Sequence, residues 1–229
     1  MKYAAKPDNE AERLRALREY QILDTLPEEA YDDITRIAAE ITGTPIALLN
    51  LVEENRQWTK SRYGMDVTNT PRELTFCSHA ILNPDEMLIV EDARYDERFH
   101  DNPLILTDPK VIFYAGVPIV DPLGHAFGTL CVIDNRPRNL PDNKLQALKA
   151  LANLVNVHLE LRKARIDLEE LQSTGPTTPV GTEVPDQSKL LINKLETNLQ
   201  PLLAGNYRPE QAPQLTSIQE AIQSLKSTL

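Results

Sequence analysis

Two cysteines and the histidines around them are the residues whose types could do chemistry. Cys77 and His79 stand two apart in "TFCSHAIL", and Cys131 lies in "GTLCVID". A thiolate is a nucleophile and a soft metal ligand, and an imidazole is a ligand of similar range. Cys77 and His79, completed by Cys131 and His125, would make a four-ligand metal site. At i,i+2 on a helix, however, two side chains do not share a face. Structural zinc sites also favour C-x-x-C or H-x-x-x-H spacing, so no metal site is expected. Cys77 as nucleophile and Cys131 as resolving thiol would make a thiol-based reductase, provided the sulfurs came within disulfide reach. Cys131 alternates within a strand pattern, which favours a buried structural thiol. No pair of carboxylates has a spacing that demands acid–base work, and no Gly-rich phosphate loop occurs. The expectation is a protein without catalysis.

A ligand pocket needs a different set of residues. Asp92, Tyr95, Phe99, Phe113 and Tyr114 cluster along an irregular crossover and the strand that follows it. Their aromatic faces would stack on a planar ligand such as a nucleobase. Asp92, Tyr95, Phe99, Phe113, Cys77 and His79 are therefore the candidate ligand-binding residues. No cofactor is called for. Trp58, the single tryptophan, is expected on the core face of a strand, with an interface anchor as the alternative.

These residues must be positioned by elements that the pattern makes legible. A helix is expected over 9–23 and a second over 24–42. The second would be capped by Asp24 or Thr25 and stopped by Gly43, with Ala30, Ile34, Ile37, Ala38 and Ile41 as its buried stripe. Strands are expected over 46–52, 57–62, 87–91, 113–120 and 126–133. "MDVTNTPREL" has no period and reads as a loop. Thr75 is placed to cap a short helix over "TFCSHAIL", and "DPLGH" makes a tight turn between the last two strands. The sum is an α+β fold, a mostly antiparallel sheet with helices on one side.

From Pro141 to about Gln172 a long helix carries two apolar stripes. Ala147, Ala150, Leu154, Val157, Leu161, Ala164, Leu168 and Leu171 recur at the 3,4 spacing of a coiled-coil seam. Leu145, Leu148, Leu151, Val155 and Leu159 form the other. One face would pack on the domain and the other on a second copy, so a homodimer is expected with Leu154, Val157, Leu161 and Leu168 at its interface. The divisions are an N-terminal helix at 1–24, a core at 25–140, the long helix at 141–172, a Pro/Gly/Thr linker at 173–186 and a two-helix tail at 187–229. The tail is too small to bury a core alone. Its Leu/Ile side over 187–228 suits a protein partner's groove.

Composition limits the partners. The chain has 229 residues, 41% of them hydrophobic, and a net charge of −10. A nucleic-acid or membrane surface calls for a basic face, and only the short "RLRALR" at 13–18 is basic, so neither partner is expected. No stretch approaches the ~20 apolar residues that span a bilayer. The start of the chain lacks the apolar run of a signal peptide, and a cytoplasmic location is expected.

The phrases "LREYQILDTLPEEAYDDITRIAAEITGTPIALLNLVEENRQWTKSRYG", "FCSHAI", "FYAGVPI" and "GTLCVID" carry a family likeness. Through them the stretch from about Glu12 to Ala164 resembles the GAF domain, in the form common in bacterial and cyanobacterial signalling proteins. The resemblance implies a GAF-like central antiparallel sheet with flanking helices, here followed by a C-terminal helical appendage. It also implies an input module of the kind fused to a histidine kinase, a diguanylate cyclase or a phosphatase. The sequence contains no kinase nucleotide pattern and no GGDEF signature. The expected role is therefore regulatory, acting through protein–protein interaction. Two alternatives stand beside it: a small-molecule sensor of a nucleotide or a tetrapyrrole, and the thiol-based reductase. Bilin-binding relatives attach their chromophore through a cysteine, commonly beside a histidine. Here the order is Cys77-Ser78-His79, inside a phrase shared with relatives that look like non-pigmented sensors.

Overall fold

The computed structural model describes residues 1–173. Met1–Leu159 form one compact unit, and Glu160–Leu229 are assigned to a second. The linker at 173–186 and the tail at 187–229 lie outside the described residues, apart from Ser173 at the end of the last helix.

Apolar runs that alternate or continue without break produce the sheet. Its strands are β1 (Ile46–Val52), β2 (Arg56–Tyr63), β3 (Asn69–Pro71), β4 (Leu88–Val90), β5 (Phe113–Val120) and β6 (Ala126–Asp134). They form one six-stranded antiparallel sheet in the order β3-β2-β1-β6-β5-β4. Every residue of β1 and β6 is buried, because both faces of the sheet are covered. A register shift between Leu49 and Asn50 marks a bulge in the β1–β2 pairing.

Helices α1 (Glu10–Glu19), α2 (Glu29–Thr42) and the first part of α5 (Asp142–Ser173) cover one face. The shared core there includes Leu17, Tyr20, Ile34 and Ala38 from the helices, with Leu49, Trp58, Phe113 and Phe127 from the sheet. From α5 it takes Leu148, Ala152, Val155 and Leu159, so the second predicted stripe is the one that packs inward. The other face carries a separate core. There α3 (Phe76–Ala80), α4 (Pro103–Leu106) and the crossover bring Phe76, Cys77, Phe99 and Ile105 onto Leu48, Tyr114, Cys131 and Ile133. Helices thus lie on both sides of the sheet, a correction to the one-sided layout expected.

Three local expectations also change. Helix α2 begins at Glu29, after Glu28, without a side-chain cap. Thr25 is occupied elsewhere: its hydroxyl donates to the Ile22 carbonyl at 2.7 Å and accepts the Lys60 ammonium at 2.7 Å. The buried face of α2 is Tyr31, Ile34, Thr35, Ala38, Ala39 and Thr42, which leaves Ile41 exposed. The segment read as a loop after Gly64 contains β3, which adds to β2 at the sheet edge. Gly43 does end α2, in the left-handed region at φ 70°.

Candidate functional site: a thiol-lined cavity under the short helix

Thr75 starts the construction of the site. Its hydroxyl oxygen accepts the Ser78 amide at 3.3 Å and caps α3. That helix sets Phe76 and Cys77 against the sheet, where β1, β5 and β6 present Asn50, Tyr114, Thr129 and Cys131. The Cys77 sulfur receives the Thr129 hydroxyl at 3.1 Å, the Tyr114 hydroxyl at 3.5 Å and the Asn50 amide nitrogen at 3.5 Å. The same Asn50 nitrogen lies 3.5 Å from the Cys131 sulfur. Thr59 fixes the amide's orientation by donating to Asn50 Oδ1 at 2.8 Å. Both thiols are free and buried.

Charge on the sulfurs is governed by these donors. Burial pushes the Cys77 thiol up, but hydrogen bonds from Cys131, Thr129, Tyr114 and Asn50 outweigh it and lower it to about 7. The hydrogen bond to Cys77, together with burial, raises Cys131 well above the ordinary thiol value. Burial and the two neighbouring sulfurs raise Tyr114 in the same way. Three donors meet the Cys77 sulfur and one meets Cys131, so Cys77 is the better placed of the two to hold a thiolate.

Beside the sulfurs opens a cavity of about 70 Å³. Asn50, Gln57, Cys77, Tyr114 and Cys131 supply polar lining; Leu48, Met65, Val67, Phe76, Val111 and Ile133 supply apolar lining. Thr107, Asp108 and Pro109, all exposed, also line it. No Lys, Arg or His is among its lining residues. Gln57 is 5% exposed, and its Oε1 has no hydrogen-bond partner. A buried amide oxygen without a partner costs about 1–3 kcal/mol, so a donor from water or a bound molecule would stabilise it.

Of the six candidate ligand residues, Cys77 alone lines the cavity. His79 is half-buried, with Nε2 3.0 Å from the Lys2 carbonyl and its ring edge-on to Phe99. Asp92 is ion-paired with Arg94 at 2.6 Å. Tyr95 is 83% exposed. Phe99 stacks behind the cavity wall on Phe76, with ring centroids 3.9 Å apart. Phe113 belongs to the core on the opposite face, because strand alternation turns it away from Tyr114. The metal set is not assembled either. His125 bonds Asp121 at 2.8 Å, and among the described residues no three His, Cys, Asp or Glu side chains are grouped to hold an ion. Gln57 and Asn50 went unrecognised in the sequence. Their signal is a polar residue inside a buried strand: Trp58 on one face puts Gln57 and Thr59 on the other.

The GAF domain model matches residues 26–159. The chain belongs to the GAF domain family. The chain is 33% identical, over 165 residues, to part of a cyclic di-GMP phosphodiesterase of Pseudomonas aeruginosa. That match covers 72% of this chain and 28% of the relative, so the chain spans little more than a quarter of the relative's length. The expectation of a protein outside catalysis is corrected by this relative, which is itself an enzyme. Among solved structures, the blue-light absorbing form of the PixJ GAF domain of Thermosynechococcus elongatus is similar, at TM-score 0.52 and 16% identity. It covers 71% of this chain and 98% of that one, and the likeness is one of fold. Among the described residues no helix is long and apolar enough to cross a membrane.

Proposed function

We propose that this GAF domain is a sensory module that takes a compact, uncharged, hydrogen-bond-donating molecule into the cavity and passes its occupancy to another protein or domain. The unpartnered oxygen of Gln57, a residue that lines the cavity, carries this reading. A donor-bearing ligand would satisfy that oxygen, and an anion would add a second acceptor beside it. Size argues the same way. The cavity, about 70 Å³, is smaller than the ~150 Å³ apolar cavity that admits benzene. A nucleotide or a tetrapyrrole needs more room, and no lining cation would meet its phosphate or carboxylate. Control of an enzyme of cyclic-dinucleotide turnover is the output that the phosphodiesterase relative suggests. Contact with a protein partner through 187–228 remains part of the proposal. The thiol reductase reading has the sulfur pair in its favour, but nothing in the cavity's lining marks a substrate for it.

Acetamide and acetate form a matched pair of probes, equal in size and different in donor and charge. Acetamide is expected to raise the melting temperature of the full chain, and Gln57→Leu is expected to abolish that rise. Stabilisation by acetate or by cyclic GMP, dependent on Gln57, would replace this reading with an anion sensor.

A further inference from the structure

We propose that Cys77 and Cys131 are a modification site at which a small hydroperoxide entering the cavity converts the two thiols into an intramolecular disulfide. They are the chain's two cysteines, one on α3 and the other on β6, 54 positions apart in sequence, and both line the same cavity. Each sulfur lies 3.5 Å from the same Asn50 nitrogen, so the sulfurs cannot be more than about 7 Å apart. A structural role for either thiol would not require the other. The three donors gathered on Cys77 from Thr129, Tyr114 and Asn50 stabilise its thiolate, the form that reacts. The proposal uses the cavity but rests on the sulfurs, and it stands whether or not the cavity also senses an amide-like ligand.

The chemistry balances in two steps. The Cys77 thiolate attacks the terminal oxygen of ROOH; an S–O bond forms and the O–O bond breaks. The departing alkoxide takes the proton that the thiol released and leaves as ROH, with Cys77 as sulfenic acid. The Cys131 sulfur then attacks the Cys77 sulfur; the S–S bond forms and the S–O bond breaks. Hydroxide leaves with the Cys131 proton as water. Two thiols lose two electrons and two protons, and the peroxide is reduced to ROH and water. Three donors on Cys77 against one on Cys131 assign the order, with Cys77 as the residue oxidised first and Cys131 as the resolving one.

The full-length chain, reduced and then exposed to hydrogen peroxide, is unfolded in a thiol-trapping reagent and weighed intact. Loss of both free thiols with a mass decrease of about 2 Da, reversed by dithiothreitol, is expected. A proteolytic digest should contain one peptide pair joined through Cys77 and Cys131. In Cys131→Ser the sulfenic acid should persist on Cys77 and be trapped by dimedone. In Cys77→Ser, Cys131 should stay reduced. Thr129→Val should slow oxidation several-fold without lowering acetamide binding, and Gln57→Leu should do the reverse. Two free thiols remaining in folded, peroxide-treated wild type would overturn the proposal. So would disulfides joining two chains, or Cys131 oxidising at the wild-type rate in Cys77→Ser. The peptide map on wild type decides the matter even if a cysteine variant fails to fold.

Discussion

Arg13 is wholly buried, yet it comes from a helix whose sequence reads as mostly polar. Its guanidinium donates to the carbonyls of Val52 at 2.8 Å and Ala126 at 3.3 Å, where β1 ends and β6 begins. It also donates to Glu10 at 2.9 and 3.1 Å, and Arg72 joins the same carboxylate. Arg13→Ala would leave two strand-end carbonyls without that donor and the Glu10 carboxylate with Arg72 alone. Breaking a buried pair in this way costs about 3–5 kcal/mol, and the urea midpoint at neutral pH is expected to fall accordingly. Burial pushes the Glu10 carboxyl up, but hydrogen bonds and charges from Arg13 and Arg72 lower it from its usual 4.5 to about 2. A folded value below the unfolded one means stabilisation that is complete above about 4.5 and lost as pH falls through about 2. Glu10→Gln should therefore flatten the acid limb of wild-type stability between those two values. A limb of unchanged steepness in Glu10→Gln would place the acid sensitivity elsewhere. Arg13 shows how little the run "RLRALR" says about which of its cations meet solvent. Helix periodicity puts Arg13 with Ala16 and Leu17 on the inner side, but charge marks it as an outer residue until the strand-end carbonyls that receive it are known. Cys77 and Cys131 were legible as candidates. Their meeting was not, because it depends on how α3 seats against β6.

Strands carried their signal locally, and helices did not always do so. The runs at 46–52, 113–120 and 126–134 are apolar enough, and their turns marked enough, to be drawn from sequence within a residue or two. The three-residue β3 has no pattern of its own and exists only because β2 offers it an edge. The start of α2 was misplaced because Lys60 recruits Thr25 and Arg56 recruits Asp24, the two residues expected to cap it. The ammonium, on a nearly buried side chain, donates to Thr25 Oγ1, the Leu26 carbonyl and Glu28 Oε1 at 2.6–2.7 Å. The clearest element-level test lies in β6. Gly128 pairs with Leu51, and a Cβ there would lie 1.9 Å from the Asn50 carbonyl oxygen and 2.8 Å from the Leu51 Cα. Both atoms are backbone on the neighbouring strand, so the strands must move apart. Gly128→Ala is expected to cost about 2 kcal/mol, within the usual range for overpacking, read as a lower urea midpoint. A midpoint equal to wild type would show that the bulge beside Asn50 absorbs the methyl group.

At the scale of the whole molecule, the long helix is where sequence pattern and tertiary packing divide the work. Leu148, Ala152, Val155 and Leu159 are at most 3% exposed and belong to the domain's own core. Leu154, first assigned to the dimer seam, also packs against that core while remaining half-buried. Ala150 is exposed and Val157 half-buried, so the inner stripe does not use the whole circumference of α5. A seam through Leu154, Val157, Leu161 and Leu168 keeps the coiled-coil spacing and remains the proposed surface for a second copy. Small residues at Ala147, Ala150 and Ala164 would let two helices approach closely while adding little buried area. The association should therefore depend on the leucines. Leu161→Glu would put a carboxylate from each copy into an apolar contact, with no partner for either charge. Sedimentation of the full chain at micromolar concentration is expected to give a dimer for wild type. In Leu161→Glu the dissociation constant should rise at least tenfold, which corresponds to about 1.4 kcal/mol. A wild-type monomer under these conditions would remove the seam from the proposal. Occupancy of the cavity would then have to reach its partner by another surface of the GAF domain or through the segment beyond Ser173.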